Sequence, residues 1–276
     1  MSIKTLLVHL APDNDCEGRL KAAVTMAKGM KAHLIALYVA TPVHLPAGAE
    51  GRGASAVFLA EARESARKKS VEVKSLAESV CGKAGLSWNW AYGEEDHLDA
   101  ILEEVHHADM TIVNQVSFDS FEDRLMFQLP EKLVIGAGGP VLVLPKGGQA
   151  IDLVALDTVL VAWTYSKEAI RALRDALPVL HSAKSVKLLT CGKGHQADET
   201  AAPVIDYLKR HGIESEAVHH SVDGHAGEEI LDTAEQVHAN LIVMGAYGHT
   251  SFIDKLFGSA SRYVIGHTHI PLFLSH

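Results

Sequence analysis

The stretch DTVLVAWTYSKEAIRALRDALPVL, from Asp157 to Leu180, decides the fold of this chain. It begins with an apolar run, TVLVAW, that is typical of a buried β-strand, and Ser166 after that run is a typical N-cap residue. The residues that follow place apolar side chains on one face of a helix, namely Ala169, Ile170, Leu173, Ala176, Leu177 and Leu180. The stretch therefore predicts one strand followed by one amphipathic helix.

The same pattern occurs near the start of the chain, where KTLLVHLAPDNDCEGRLKAAVTMA begins at Lys4. Two later segments are also repeated. DAILEEVHHADMTIVNQ corresponds to EEILDTAEQVHANLIVMG, and EKLVIGAGGPVLVLP corresponds to SRYVIGHTHIPLFLS. The chain is therefore two copies of one unit. We place the boundary in KGGQAIDLVALD, which predicts an N-terminal domain over residues 1–148 and a C-terminal domain over residues 149–276.

Within each copy, short apolar strands alternate with helical segments. In the second copy TVLVAW, SVKLLTC, IESEAVHHSV, NLIVMG and IPLFLS are strands, one helix ends at Gly212, and a short helix opens at Gly258 and Ser259. This order predicts an α/β fold made of two doubly wound domains in tandem, each with a five-stranded parallel sheet. The first copy is longer, and TPVHLPAGAEGRGASAVFLA predicts an enlarged loop that runs into a lengthened helix. Ligands of such sheets bind at the carboxyl ends of the strands, where the strand order reverses.

Composition and charge exclude several classes of function. The net charge is −9 and no basic run is present, so nucleic acid is not an expected partner. The apolar segment in MSIKTLLVHLAPDND is too short for a signal peptide or a membrane span, and we expect no membrane partner. Cys16, Cys81 and Cys191 are far apart, which argues against a disulfide framework and a zinc ribbon. We expect a soluble cytoplasmic protein.

A glycine pattern follows the apolar run LIVM, in GAYGHTSFIDKLFGSAS. Its spacing is G-x2-G-x9-G-S, formed by Gly245, Gly248, Gly258 and Ser259. Glycines allow close approach of a ligand to the backbone, and a helix N-terminus attracts phosphate, so the pattern indicates a phosphate site. Turn formation explains the same glycines equally well. The chain contains neither G-x4-G-K-[ST] nor a G-x-G-x-x-G between a strand and a helix, which excludes those two motifs.

The complete glycine pattern after LIVMG, preceded by VAW and SKEA and followed by PLFL, resembles the universal stress protein (UspA-like) family. The resemblance covers nearly the whole chain twice, as in a tandem universal stress protein. It implies two Rossmann-like, adenine nucleotide alpha hydrolase-like domains, with ATP and Mg²⁺ as the ligand. Homodimers of the family pair through their last strands, so the resemblance also implies that PVLVLP and IPLFLS pair within this chain. A homodimer of the whole chain is a further expectation.

The resemblance implies a nucleotide site in the second copy. In the ATP-binding branch, the motif residues hold the phosphates and the ribose, the residue before the first glycine touches the adenine, and an aspartate at the end of the first strand binds the nucleoside. Thr164 replaces that aspartate here, and Tyr165 stands where a small residue is common. Loss of the charged acceptor should cost about 1–3 kcal/mol of binding free energy. The implied site consists of Ala162, Trp163, Thr164, Met244, Gly245, Gly248, His249, Gly258, Ser259 and Ala260.

The first copy departs further from the pattern. Alignment of TIVNQ with LIVMG places Gln115 at the position of Gly245 and Phe118 at that of Gly248. Gln128 and Leu129 then replace Gly258 and Ser259, and Ala11 stands where the aspartate is expected. Larger side chains at these positions would occupy the space of a phosphate. We expect the first copy to bind no nucleotide and to serve as the pairing partner of the second.

Other polar and aromatic clusters have structural and functional explanations. A zinc site would use His267, His269 and His225 among the 17 histidines, but no cysteine or carboxylate spacing supports it, and we expect no metal site. Trp88 and Trp90 share one strand face, which favours core packing over ligand stacking. Two acidic clusters open helices, which favours an interaction with the helix dipole over acid/base catalysis, namely Glu94-Glu95-Asp96 and Glu228-Glu229.

Two hypotheses from different classes follow. The first is a nucleotide-binding regulatory protein of the stress response that uses its C-terminal domain. The second is an interaction module that keeps the fold and binds no nucleotide. A slow ATPase is a weaker alternative, because His249 and Asp254 are the only candidates for acid/base catalysis near the motif and neither is an evident base or metal ligand. We therefore expect that the protein is not an enzyme.

Overall fold

The structure is a computed structural model that describes residues 2–40, 52–94, 97–115, 129–147, 151–191, 195–220, 225–247 and 255–276. The elements of the first half are, in chain order, β1 Thr5–Leu10, α1 Cys16–Met30, β2 His33–Val39, α2 Arg52–Ala84, β3 Trp88–Gly93, α3 His97–Val105, β4 Met110–Asn114, α4 Leu129–Gly136 and β5 Val141–Leu144. Those of the second half are β6 Leu156–Trp163, α5 Lys167–Leu180, β7 Ala183–Cys191, α6 His195–Arg210, β8 Ser215–His220, α7 Ala226–Gln236, β9 Leu241–Gly245, α8 Lys255–His267 and β10 Leu272–Ser275.

All of these strands form one sheet, in the order β3-β2-β1-β4-β5-β10-β9-β6-β7-β8. Neighbouring strands within each half are parallel, and the two halves meet where β5 and β10 pair in antiparallel register. Each half has the same strand order, with its first strand between its second and its fourth. The predicted fold class, two doubly wound five-stranded α/β units in tandem, is confirmed.

Helices cover both faces of the sheet. One hydrophobic core lies between the sheet and α1, α2, α5 and α6, and the other lies between the sheet and α3, α4, α7 and α8. Strands that are covered on both faces become continuous apolar runs, as in LIVM of β9. Phe273 of β10 is fully buried next to the seam between the halves, so the first of these cores continues from one half into the other. None of the described helices is long and apolar enough to cross a lipid bilayer.

The duplication is visible in how the first strand of each half begins. The Asp109 carboxylate accepts hydrogen bonds from the backbone N–H groups of Lys4 and Thr5, at 2.6 and 2.9 Å. In the second half the Asn240 side-chain oxygen accepts from the N–H groups of Asp157 and Thr158, at 2.9 and 3.0 Å. Both residues immediately precede the strand that pairs with the first one. The same position therefore satisfies the same backbone donors in each half.

Several local predictions are confirmed. Ser166 caps α5, because its Oγ accepts the backbone N–H of Ala169 at 3.2 Å. Gly212 has a left-handed backbone (φ +73°) just after α6, as expected of a glycine that ends a helix. The lengthened helix of the first copy is α2, which has 33 residues where α6 has 16. The start of α8 was predicted wrongly. The helix begins at Lys255, before Gly258 and Ser259, since Lys255, Leu256 and Phe257 all continue a helix readily.

The alignment of the two copies on β4 and β9 was wrong by one residue. Met110 pairs with Leu6 of β1, and Leu241 pairs with the equivalent Val159 of β6, so Met110 corresponds to Leu241. Asn114 therefore occupies the position of Gly245. Gln115 occupies the position of Ala246, as shown by matching hydrogen bonds to the carbonyl groups of Leu144 and Ser275. A strand that is apolar on both faces has no alternating pattern, so the sequence does not reveal a slip of one residue.

Two side chains near the carboxyl ends of the strands connect the halves. Gln115 donates from Nε2 to the Ile265 carbonyl group in α8, at 2.7 Å, and its Oε1 accepts from the Lys146 N–H at 3.2 Å. Arg171 of α5 donates to the carbonyl group of His276, at 2.9 Å, and also to that of Gly138 in the first half. The seam between β5 and β10 is therefore supported by polar contacts as well as by apolar packing.

Candidate functional site

The candidate site lies where the strand order of the second half reverses, between the carboxyl ends of β6 and β9. Ala162 and Met244 are paired neighbours on these two strands, and Trp163 and Gly245 end them. Thr164 follows Trp163 directly. The structure thus brings together the five predicted site residues that lie on or next to these two strands. Gly248 and His249 lie outside the described residues, and Gly258, Ser259 and Ala260 lie in α8.

Gly245 has a packing role in this site. A Cβ atom added at Gly245 would lie 2.5 Å from the carbonyl carbon of Glu168 and 2.9 Å from the Cα atom of Ala169. Both contacts are with the backbone of the first turn of α5, which is unable to rotate away. The glycine therefore allows α5 to approach the end of β9 closely, and this requirement holds whether or not a ligand binds.

The Thr164 hydroxyl group is already engaged. Its Oγ1 donates to Ser166 Oγ at 3.3 Å, and Ser166 Oγ in turn caps α5. Thr164 thus supports the helix N-terminus. The next residue, Tyr165, is 86% exposed. The aspartate of the family pattern therefore has no direct substitute at this position.

Two buried polar atoms next to this edge have no hydrogen-bond partner among the described residues, namely Trp163 Nε1 and Glu168 Oε1. Glu168 is not among the site residues that the sequence predicts, because a glutamate in the first turn of a helix is the usual complement of the helix dipole. Its position offered one signal. It precedes Ala172 by four residues and therefore borders the apolar face of α5. A carboxylate on that side of a helix needs a partner.

Helix α8 presents its first turn towards the same edge of the sheet. Its first four backbone N–H groups belong to Lys255, Leu256, Phe257 and Gly258, because the helix begins at Lys255. The prediction that Ser259 opens this helix is therefore wrong, since Ser259 lies beyond these four donors. Ala260 is buried. Gly258 still lies in the part of the helix where the dipole favours an anion.

Tyr247 connects the motif to the other half. Its backbone is left-handed (φ +57°), a conformation that a tyrosine adopts at a cost of about 1–2 kcal/mol. Burial raises the pKa of the Tyr247 hydroxyl, and the negative charge of Glu131 in α4 raises it further. The hydroxyl group has no hydrogen-bond partner among the described residues. The chain thus passes through a strained residue, close to the first half, immediately before Gly248.

Comparison with known proteins agrees with this geometry. The model of the Universal stress protein family matches residues 155–276. The match covers less than half of the chain, and no curated protein sequence matches the chain.

Solved structures resemble the chain over almost its whole length. A universal stress protein from Archaeoglobus fulgidus DSM 4304 is 19% identical, covers 99% of this chain and 96% of its own, and has a TM-score of 0.72. A functionally unknown protein from Pseudomonas aeruginosa PAO1 is 18% identical, with 99% and 92% coverage and a TM-score of 0.59. At these identities the likeness establishes the fold, which extends over both halves.

The crevice of the first half differs from that of the second half. Asn114 stands in place of Gly245, and the Arg19 guanidinium group, 2% exposed, pairs with the Asp13 carboxylate at 2.9 Å. Asn114 Oδ1 and Arg19 Nε have no hydrogen-bond partner among the described residues. Both residues line a cavity of about 20 Å³, together with Asp15, Gly18, Ala22, Leu144 and Pro145. A cavity of this size accommodates one water molecule but no phosphate group.

Other candidate groups have structural roles. Among the described residues, no group of three His, Cys, Asp or Glu side chains is arranged to hold a metal ion. Trp88 and Trp90 pack against the first hydrophobic core, as predicted. Burial raises the pKa of the Cys16 and Cys81 thiols to about 11, so neither is activated as a nucleophile.

Proposed function

We propose that the chain is a tandem universal stress protein that binds ATP, or a related nucleotide, in its C-terminal domain and acts as a regulatory protein without catalysis. The observation that carries this proposal is the family match to residues 155–276. The described site residues of that half agree with it, because they converge on the carboxyl ends of β6 and β9. In our proposal the first half is a diverged domain of the same family. Its crevice is filled by Asn114 and by the ion pair of Arg19 and Asp13.

The described residues suggest how a nucleotide would be held. Backbone N–H groups in the first turn of α8, including that of Gly258, would receive the phosphates, since the positive end of the helix dipole lies there. Ala162 and Met244 lie side by side on the face that α7 and α8 cover, where they would contact the base. Mg²⁺ would neutralise part of the triphosphate charge, which matters in a chain of net charge −9.

A regulatory role is supported by the position of Tyr247. It precedes Gly248 of the motif and lies near enough to Glu131 of the first half for that charge to affect its hydroxyl group. A ligand that changes the backbone at Tyr247 would therefore change contacts between the halves. The surface that both halves form around the seam would then differ between the nucleotide-bound and the nucleotide-free protein.

Isothermal titration calorimetry with Mg²⁺ and ATP tests the proposal. We expect one binding site per chain, located in the second half. Two equivalent sites would contradict the proposed divergence of the first half. No binding up to millimolar ATP would favour the second candidate function, an interaction module without nucleotide, which the engagement of the Thr164 hydroxyl by Ser166 specifically supports.

Thr164→Asp should tighten the binding of ATP. A carboxylate at this position supplies a charge-assisted acceptor, which corresponds to about 5- to 150-fold in Kd. Thr164→Asn is the matched control, because asparagine has the same shape as aspartate without the charge. This variant should improve the binding of ATP far less. The Kd values are measured by calorimetry. Equal or weaker binding by Thr164→Asp would show that the nucleoside does not reach the end of β6.

A further inference from the structure

The small cavity of the first half is lined by polar side chains from two elements. Asp15, the N-cap residue of α1, and Arg19 in the first turns of that helix form one wall, and Asn114 at the end of β4 forms another. In the second half the corresponding junction is filled by direct contact, because Gly245 lies against the first turn of α5. The first half has a side chain and a cavity in place of that contact.

The cavity wall carries hydrogen-bonding groups of both kinds. Arg19 pairs with Asp13 through Nη2, and its Nε–H group has no acceptor among the described residues. Asn114 Oδ1 is a buried acceptor that has no donor in the same part of the chain. The Asp15 carboxylate already accepts from the Gly147 N–H, at 3.1 Å, and has room for a further donor. A buried donor and a buried acceptor at one cavity call for a group that binds both.

We infer that this cavity binds one ordered water molecule. The water accepts a hydrogen bond from Arg19 Nε–H and donates to Asn114 Oδ1 and to the Asp15 carboxylate. Three such bonds are typical of a buried water, and the volume of about 20 Å³ exceeds the roughly 10–15 Å³ that one water needs. Charge favours water over a small ion, because the guanidinium group repels a cation and the carboxylate repels an anion.

The water gives the first half a polar connection between α1 and β4. Asp15 extends this connection to Gly147, which follows β5. Once the water is bound, the polar groups of the cavity are all engaged, and none of them is available to a larger ligand. The two halves therefore fill the same junction in different ways, the first with a water and the second with a glycine that contacts a helix. The inference does not depend on nucleotide binding by the second half.

NMR spectroscopy of the full chain, labelled with nitrogen-15 and deuterium, tests this inference. We expect the Arg19 Nε–H to exchange slowly and to show a cross-peak to water whose sign differs between NOESY and ROESY spectra. This difference in sign distinguishes contact with a bound water from proton exchange. Arg19→Met lacks the group and assigns the signal. A protected Nε–H without a cross-peak to water would overturn the inference, as would a crystal structure with a protein atom between Arg19 Nε and Asn114 Oδ1.

Asn114→Leu should remove the water, because leucine has a similar size and no acceptor. We expect the cross-peak to disappear and the melting temperature to fall by about 3–6 °C, since the Arg19 Nε–H is then buried without a partner. In the Arg19→Met background the same replacement should lower the melting temperature by less than about 1 °C. An equal fall in both backgrounds, or a cross-peak that persists in Asn114→Leu, would contradict the inference. If a variant does not fold, the wild-type spectrum still decides.

Addition of Mg²⁺ and ATP to the wild type separates this inference from the proposed function. We expect the cross-peak between Arg19 and water to remain when ATP is saturating. Its loss would show that a ligand enters the first half, and the inference would then be wrong. If calorimetry detects no binding of ATP, the proposed function fails, whereas the cross-peak is still expected because the second half takes no part in it.

Discussion

Replacing Gly245 with valine should lower the melting temperature of the protein by about 10 °C. The added side chain meets the backbone of Glu168 and Ala169, and one of these contacts would be only 2.5 Å. Backbone atoms are unable to move aside as a flexible side chain does, so α5 must shift away from β9 and from the hydrophobic core that it covers. We expect a loss of about 3 kcal/mol in the free energy of unfolding, which corresponds to this change in melting temperature.

Gly82→Ala is the control for this prediction. Gly82 lies inside α2, and an added Cβ would have no atom within 4 Å. Alanine in a helix interior is more stable than glycine by about 1 kcal/mol, so this variant should melt slightly higher than the wild type. Both variants are compared by thermal unfolding followed with circular dichroism. A melting temperature of Gly245→Val within 2 °C of the wild type would show that α5 does not pack against β9 in this way.

Gly245 also shows what the sequence leaves undecided at a site. The glycine pattern predicts a backbone that approaches something closely, and this is correct. A phosphate and the first turn of a neighbouring helix both require that approach. The choice between them depends on the distance from β9 to α5, which is set by tertiary packing. The packing role of Gly245 is therefore a result of the structure, whereas its contact with a nucleotide stays a prediction.

The fold itself could be predicted because two independent patterns agree. The internal repeat defines the unit, and the alternation of apolar strands with helical faces defines its architecture. The register of β4 and β9 could not be predicted, because TIV and LIV remain apolar after a slip of one residue. That slip exchanged Asn114 and Gln115 in the comparison of the halves, although the two side chains do different things. Asn114 lines a small cavity, whereas Gln115 connects β4 to α8.

The positions of site residues could be predicted where the direction of the strands determines them. They could not be predicted where side-chain packing determines them. Trp163 and Gly245 end parallel neighbouring strands, so they lie at one edge of the sheet in any doubly wound fold. Glu168 is different. Its burial follows from the packing of α5 against β9 and β10, and in the sequence only its spacing of four residues to Ala172 indicates it.

The second large effect on stability is expected in the first half, where Arg19 and Asp13 form an ion pair. The guanidinium group is 2% exposed and its partner is 28% exposed, at a distance of 2.9 Å. Asp13→Ala would leave a buried positive charge without its carboxylate, and the Asp15 N–H would lose its acceptor Asp13 Oδ1. Asp15 itself accepts from the Gly147 N–H. We expect Asp13→Ala to reduce the free energy of unfolding by about 3 kcal/mol.

Removal of the positive charge of Arg19 should lower the free energy of unfolding much less than removal of the Asp13 carboxylate. This difference between the two variants is what identifies a buried ion pair. Arg19→Met keeps the apolar stem and leaves the more exposed carboxylate in contact with water, so we expect a loss of less than about 1 kcal/mol. The double variant should resemble Arg19→Met, since no buried charge remains. Glu17→Ala, which breaks the exposed pair of Glu17 and Lys21, should leave the melting temperature nearly unchanged. Urea unfolding of these variants measures the free energies. Equal losses for Asp13→Ala and Arg19→Met would show that the guanidinium group is hydrated, and the crevice of the first half would then be open to water.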